Sequence, residues 1–270
     1  MDRLEAHPVE PARTPISMAD RDAALRAANR GSSRSYRLGW VWDWVKVLPA
    51  AVLLFFVMKT MVIEAYKIPS GSMERTLMVG DFLLVNKMVY GAEVPFSRMH
   101  LPAVRSPKRG DVIVFVWPVD PSKNFVKRLV GLPGDTVAMN GGNFVLNGVV
   151  QKEQYVVHTQ PGMDPTAVDF RWQRSHVLNM VPASDSSGTT IDTYHPSRNN
   201  WGPLVVPSNS FFVLGDNRDN SLDSRYWGFV PDSLLRGTPL MVYYSYSPDS
   251  SVAAPWIRRI RWSRLGGLVD

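Results

Sequence analysis

A serine hydroxyl becomes a nucleophile only when a neighbouring group takes its proton. The stretch Ile68-Pro69-Ser70-Gly71-Ser72-Met73 offers such a hydroxyl directly behind the one long apolar run of the chain. Histidine is the usual base, and there are five: His7, His100, His158, His176 and His195. All five sit in segments rich in loop formers, none of them in a Gly-x-Ser-x-Gly or His-Glu-x-x-His context. A histidine-based triad and a zinc site are therefore not expected.

A different base is available in Asn124-Phe125-Val126-Lys127-Arg128-Leu129-Val130-Gly131. If this short apolar run is a strand, its two adjacent cations face opposite sides and one must point inward. With a period of two, Lys127 shares its face with Phe125 and Leu129, and burial there disfavours the ammonium. Bringing a lysine from its usual range down to mildly alkaline pH takes about 3 kcal/mol, which partial burial supplies. A neutral lysine is a competent general base. On local sequence alone a second reading stays open, in which Lys127 snorkels to a strand edge and Ser72 is an ordinary turn residue.

The elements that must position these two residues include a third segment. Phe211-Phe212-Val213-Leu214-Gly215-Asp216-Asn217-Arg218-Asp219-Asn220-Ser221-Leu222-Asp223-Ser224-Arg225-Tyr226-Trp227-Gly228 runs from an apolar strand into a dense polar loop. Such a loop is ordered only by an internal hydrogen-bond network. Asp216, Asp219 and Asp223 do not follow the Asp-x-Asn-x-Asn-Gly order of a calcium loop and lack its terminal glutamate, so no metal is expected.

Taken together, Pro69 to Leu77, Lys127-Arg128 leading into Gly131-Leu132-Pro133-Gly134-Asp135, and this polar loop closely resemble the bacterial type I signal peptidase family. The likeness spans about residues 40 to 245 and is strong in four blocks, 66 to 91, 109 to 117, 124 to 135 and 211 to 231. It implies Ser72 as nucleophile and Lys127 as general base, with Ser70 Oγ and the Ser72 N–H as oxyanion hole. It also implies that Ser221 orients the Lys127 amine and that Asp223 pairs with Arg225. Small residues before the cleaved bond would be selected by shallow pockets lined by Tyr66, Ile68, Pro69, Met73, Leu77, Phe125 and Val126. The chain departs from the family pattern at Arg75, where proline usually precedes Thr76-Leu77. Each role has a physical reason: Gly71 allows a tight turn, and a preorganised oxyanion donor contributes about 3 to 4 kcal/mol.

Behind these residues stands Trp44 to Ile63, the only apolar run of spanning length. About twenty residues rise roughly 30 Å as a helix, enough for a hydrocarbon core. Lys59 can snorkel, and Pro49 near the start is tolerable in a membrane helix. A buried helix of a soluble protein is the competing reading; a cleaved targeting peptide is disfavoured by the long stretch that precedes the run. Arg26, Arg30, Arg34, Arg37 and Lys46 precede the span against one nearby acid, Asp43, so the positive-inside rule puts the N-terminus in the cytoplasm. Trp40, Trp42 and Trp44 cluster as interfacial anchors do.

The net charge of +6 does not read as nucleic-acid binding, because the cations flank the span or fall in a late cluster. That cluster, Arg258, Arg259, Arg261 and Arg264 among Trp256, Ile257, Ile260 and Trp262, suits anionic lipid, with a solvated basic tail as the alternative. The chain has no cysteine, so no disulfide contributes. A hydrophobic content of 45 % fits a globular protein carrying one anchor.

Beyond Tyr66 the chain reads as β: 81 to 90, 111 to 117, 125 to 131, 136 to 139, 144 to 146, 211 to 214 and 240 to 246, with an Asn147-Gly148 hairpin turn. No βαβ rhythm appears, which favours antiparallel sheets. The expected organisation is mainly β. Residues 1–43 are a mostly disordered cytoplasmic segment and 44–63 a single transmembrane helix. An antiparallel catalytic core follows over 64–150 and 208–246, with a smaller, flexible β domain inserted at 151–207 and a basic, aromatic tail at 247–270. The resemblance implies a serine endopeptidase of the bacterial inner membrane, its catalytic domain on the outer face, cleaving signal peptides from exported preproteins after small-x-small motifs. No cofactor, metal or nucleic acid is implied. Two other classes remain: a Ser-Lys endopeptidase dedicated to one partner, for pilus maturation or regulator self-cleavage, and a catalytically silent membrane binding protein.

Overall fold

Five apolar residues in a row, Val112 to Val116, cannot belong to a sheet with one wet face, because successive side chains of a strand point to opposite sides. All five are buried. A computed structural model describes residues 17–57, 59, 62–91, 101–178, 183–184, 190–191, 194–248, 251 and 254–269. The chain forms two units, Met1–Phe56 and Val57–Asp270.

In the first unit, helix α1 runs from Met18 to Val57 and contains Pro49. This differs from the expectation at both ends. The segment expected to be mostly disordered is helical from Met18, where a run of alanines between Ala23 and Ala28 favours helix. The α-helix is described to Val57, Lys59 and Val62 are π-helical, and Ile63, expected to close the span, instead opens β1 (Ile63–Lys67), which pairs with Asp81–Asn86 (β2) so that the ladder claims its backbone groups. Among the described residues no helix is long and apolar enough to cross a membrane. Every side chain from Trp42 to Phe56 is exposed.

The second unit is built on antiparallel pairs. Val112–Val116 is β3, Asn124–Gly131 β4, Thr136–Asn140 β5, Asn143–Leu146 β6 and Val149–Val150 β7. Ala183–Ser184 (β8) and Thr190–Ile191 (β9) form a short ribbon. Trp201–Val205 is β10, Ser210–Leu214 β11, Val230–Pro231 β12 and Leu235–Ser245 β13, with a four-residue helix α2 at Ser224–Trp227. The main sheet has the order β1-β2-β13-β3-β4-β11-β12 and the smaller one β10-β5-β6-β7. The Asn147-Gly148 turn has positive φ at both residues, 50° and 81°, as a type I′ hairpin requires.

The expected insertion boundary after residue 150 runs through the smaller sheet. β10 lies beyond that boundary yet pairs with β5, because Trp201 and Leu204 bury against Val137, Met139 and Phe144. The same cluster contains Val130, Phe212 and Leu214, so both sheets share apolar packing. Residues 254–269 are likewise no free tail. Ser245, Val242 and Leu240 exchange backbone hydrogen bonds with Arg261, Gly266, Gly267 and Val269. Arg264 donates to the buried Asp81, and Arg261 Nη1 lies 3.7 Å from it, so two of the four late arginines serve the interior. Trp256, Ile257 and Trp262 remain exposed.

Candidate active site

Ser72 sits in a single 3-10 turn, Gly71–Met73, in the connection between β1 and β2. That connection is closed by Ile68 N–H to Asp81 O at 2.8 Å and Gly80 N–H to Ile68 O at 2.9 Å. Gly80 has φ +91°, and a Cβ there would stand 2.2 Å from the Tyr246 carbonyl. Gly71, expected to make the tight turn, does not use the left-handed region. Arg75 does, at φ 82°. The proline usual at this position of the family fixes φ near −65° and could not follow that path. Ser72 is 8 % exposed, and its Oγ lies 3.5 Å from Ser70 Oγ.

Strand β4 brings Lys127 to this turn. Lys127 stands opposite Ile113 on β3, is 4 % exposed, and donates from Nζ to Ser72 Oγ at 2.7 Å and to Val126 O at 3.0 Å. Its ammonium position faces the Phe125 ring 5.3 Å away. Burial lowers the pKa of this amine to about 8, against the raising influence of Asp223 and Asp216 and with a smaller lowering one from Arg225. At that value a substantial share of the amine is neutral near physiological pH and able to accept a proton from Ser72.

The neighbouring cation is buried as well, so both members of the pair, and not only the one expected to point inward, lie out of solvent. Arg128 is 3 % exposed and grips Asp216 with two bonds of 2.8 Å each. Asp216 also accepts from Thr76 Oγ1 at 2.6 Å, so one carboxylate joins β4, the serine turn and the polar loop. Sequence reasoning missed Arg128, Asp216 and Thr76 as a unit. The signal available was a charged pair placed next to apolar strands, where an unpaired charge is prohibitive.

The loop itself is held by close approach and by paired charge. A Cβ on Gly215 would meet Ser221 Oγ at 2.2 Å and Ser72 O at 2.5 Å, so only glycine lets the loop touch the serine turn. Asn217 N–H donates to Ser72 O at 3.1 Å, and its side chain donates to Glu74 Oε2 at 3.2 Å. Asp223 and Arg225 form the expected pair, with two side-chain bonds of 2.8 Å and no solvent exposure on either side. Desolvation, the largest single influence, would raise the Asp223 carboxyl; the Arg225 guanidinium together with the Gly215 N–H outweighs it and holds the carboxyl below its usual range. Ser221 departs from expectation. Its buried Oγ meets no hydrogen-bond partner within bonding geometry, and the lysine amine is bonded to Ser72 and Val126 instead.

Around the pair lies a cleft of about 370 Å³. Tyr66, Ile68, Pro69, Met73, Phe125 and Val126 line it, joined by Lys67, Asn124, Asn220 and Leu222, which sequence reasoning did not single out. Leu77 does not reach it. Its side chain is fully buried in the cluster formed by Ile68, Met73, Leu83, Val85, Val112, Val114 and Val242, because the residue follows the turn inward toward β2. Among the described residues no histidine hydrogen-bonds to Ser72 or Lys127.

The profile of the family described as "Signal peptidase, peptidase S26" matches residues 41–244. The chain is 35 % identical to the signal peptidase I of Pseudomonas aeruginosa, over 75 % of this chain and 72 % of that protein. It is 35 % identical to the signal peptidase I of Aquifex aeolicus, over 79 % and 90 % respectively. Against the signal peptidase I of Buchnera aphidicola the identity is 30 %, over 80 % and 78 %.

Proposed function

The chain belongs to the signal peptidase family, peptidase S26, and on that premise we propose that Ser72 and Lys127 perform its peptide-bond hydrolysis as nucleophile and general base. It is a serine endopeptidase that cleaves signal peptides from preproteins. The observation that carries the residue assignment is the 2.7 Å hydrogen bond between Lys127 Nζ and Ser72 Oγ, made by two buried side chains at the wall of a cleft.

In this reading the neutral amine takes the Ser72 proton as Oγ attacks the substrate carbonyl, giving a tetrahedral oxyanion. Ser70 Oγ and the Ser72 N–H stabilise that charge, and the ammonium returns its proton to the leaving amine. Water, giving its proton to the same lysine, then attacks the acyl-enzyme ester, which breaks the bond to Oγ, releases the new carboxyl end and restores the Ser72 hydroxyl. Asp223 and Arg225 hold the loop that walls the amine. Tyr66, Ile68, Pro69, Met73, Phe125 and Val126 give the cleft an apolar lining suited to small side chains, which such a pocket selects by excluding larger ones. The substrate presented is an exported preprotein.

We also place the apolar part of α1 in the bilayer of the bacterial inner membrane, with the N-terminus cytoplasmic and the β unit outside. The supporting observation is that Val45, Val47, Leu48, Val52, Leu53, Leu54, Phe55 and Phe56 all lie exposed on one helix. Hydrocarbon accepts such a surface and water does not.

Cleavage of a preprotein in detergent by the full chain tests the dyad. Wild type turns over, and Ser72→Ala and Lys127→Ala each lose activity by several orders of magnitude, as members of a unit do. Retained turnover in Lys127→Ala would require another base and would overturn the assignment.

A further inference from the structure

Residues 153 to 160 follow the small hairpin and make no hydrogen bond to Ser72 or Lys127 among the described residues. They nevertheless touch the parts that hold those two. Val157 pairs with Asn217 as a parallel bridge: its N–H donates to Asp216 O at 2.9 Å, and its carbonyl accepts from Arg218 N–H at 3.0 Å. Thr159 Oγ1 donates to Asn217 Oδ1 at 3.1 Å, and Asn217 N–H in turn donates to the Ser72 carbonyl. Gln160 N–H and His158 Nδ1 both contact Asp219, at 2.8 and 3.0 Å. Glu153 pairs with the buried Arg218 at 2.7 Å and accepts from Tyr155 Oη, also at 2.7 Å.

The decisive contact is Tyr155 itself. Its ring centre lies 3.9 Å from the Arg128 guanidinium, the group that binds Asp216 and reaches Thr76 Oγ1 at 3.2 Å. A planar guanidinium stacked on a ring cannot swing out of its carboxylate fork without losing that face. We infer that residues 153 to 160 form a strap that fixes the serine turn against β4, with Tyr155 and Thr159 as positioning residues for peptide hydrolysis. The inference rests on the Ser72 and Lys127 reading. It gives residues outside every motif a role in the reaction: they set how well the hydroxyl and the amine are aligned, without touching either.

The strap also bears on the charge around the amine. Asp216 and Asp223 favour the Lys127 ammonium, and Arg225 opposes it. If Arg128 is released from Asp216, that carboxylate is less neutralised and holds the ammonium more strongly. Loss of the ring therefore shifts the rate-against-pH limb to higher pH, which a purely structural role would not do.

The test uses the full chain in detergent with a preprotein substrate. In Tyr155→Ala, kcat falls about tenfold with KM within about twofold, and the alkaline-rising limb moves up in pH. Tyr155→Phe keeps the ring and both wild-type values. Thr159→Val removes one hydroxyl and lowers kcat severalfold with KM unchanged. Wild-type kcat and limb position in Tyr155→Ala overturn the inference; if that variant does not fold, wild-type kcat in Thr159→Val does so instead. A Ser72→Ala control separates the two levels. Turnover there sinks the dyad, whereas an inactive control beside a normal Tyr155→Ala sinks only the strap.

Discussion

Lys127 shows what burial does for one side chain and what it costs. Its amine has a pKa of about 8 in the fold against an ordinary 10.5. Only the neutral form can take the serine proton, so kcat/KM rises with pH and levels off above about 8, falling roughly tenfold per pH unit on the acid side. The stability effect has its own sign. Between about 8 and 10.5 the unfolded chain holds a proton that the native state has released, so stability rises with pH across that window. Below it the native state carries a buried ammonium. Lys127→Met is therefore expected to abolish cleavage while raising stability at neutral pH, by an amount on the order of 3 kcal/mol. A pH-rate profile and thermal melts at pH 7 check both halves. Burial of Lys127 was legible from the two-residue period that groups it with Phe125 and Leu129. The fate of Arg128 was not, because its partner Asp216 lies 88 positions away and no local pattern announces the pair. Arg75 was visible only as a departure from a family pattern; that it adopts φ 82° is a property of the folded turn.

At the scale of elements, the polar loop and α2 stand on the Asp223–Arg225 pair. Both groups are fully buried, so the pair matters most when half of it is removed. Asp223→Ala leaves a guanidinium without its carboxylate and should destabilise the chain by about 3 to 5 kcal/mol, with cleavage lost in parallel. Denaturant titration of the detergent-solubilised protein measures the first effect and preprotein turnover the second. Because the carboxyl is held below its ordinary range, the stabilisation is present at neutral pH and fades as pH drops through the acid range. The strands themselves were largely readable. Val112–Val116 declares a doubly buried strand by its unbroken apolar run, and Asn147-Gly148 declares its turn. Extents were less so: β2 stops at Asn86, giving way to a 3-10 turn at Met88–Tyr90, and β13 begins at Leu235, five residues before the expected 240. The pairing of β10 with β5 was hidden, since Trp201 and Leu204 lie within a stretch whose composition reads as loop.

For the whole molecule the open physical question is which side of a bilayer each unit occupies. The chain contains no cysteine, so a single introduced thiol reports its own surroundings. In intact cells, a cysteine at Ser122, on the exposed turn between β3 and β4, is expected to react with a membrane-impermeant maleimide. One at Ser17, before α1, is expected to react only after permeabilisation. The reverse pattern would refute the orientation that the arginines preceding the apolar part of α1 suggest. Here flanking charge, a property of the sequence alone, carries the topology.

The serine turn leans on partners found far downstream. Thr76 binds Asp216 across 140 positions, and its carbonyl accepts from Arg264 across 188. A polypeptide made from its N-terminal end therefore presents Ser72 well before the groups that clamp it arrive. Cleavage competence is accordingly expected only once the stretch carrying Asp216 and Arg264 has been made.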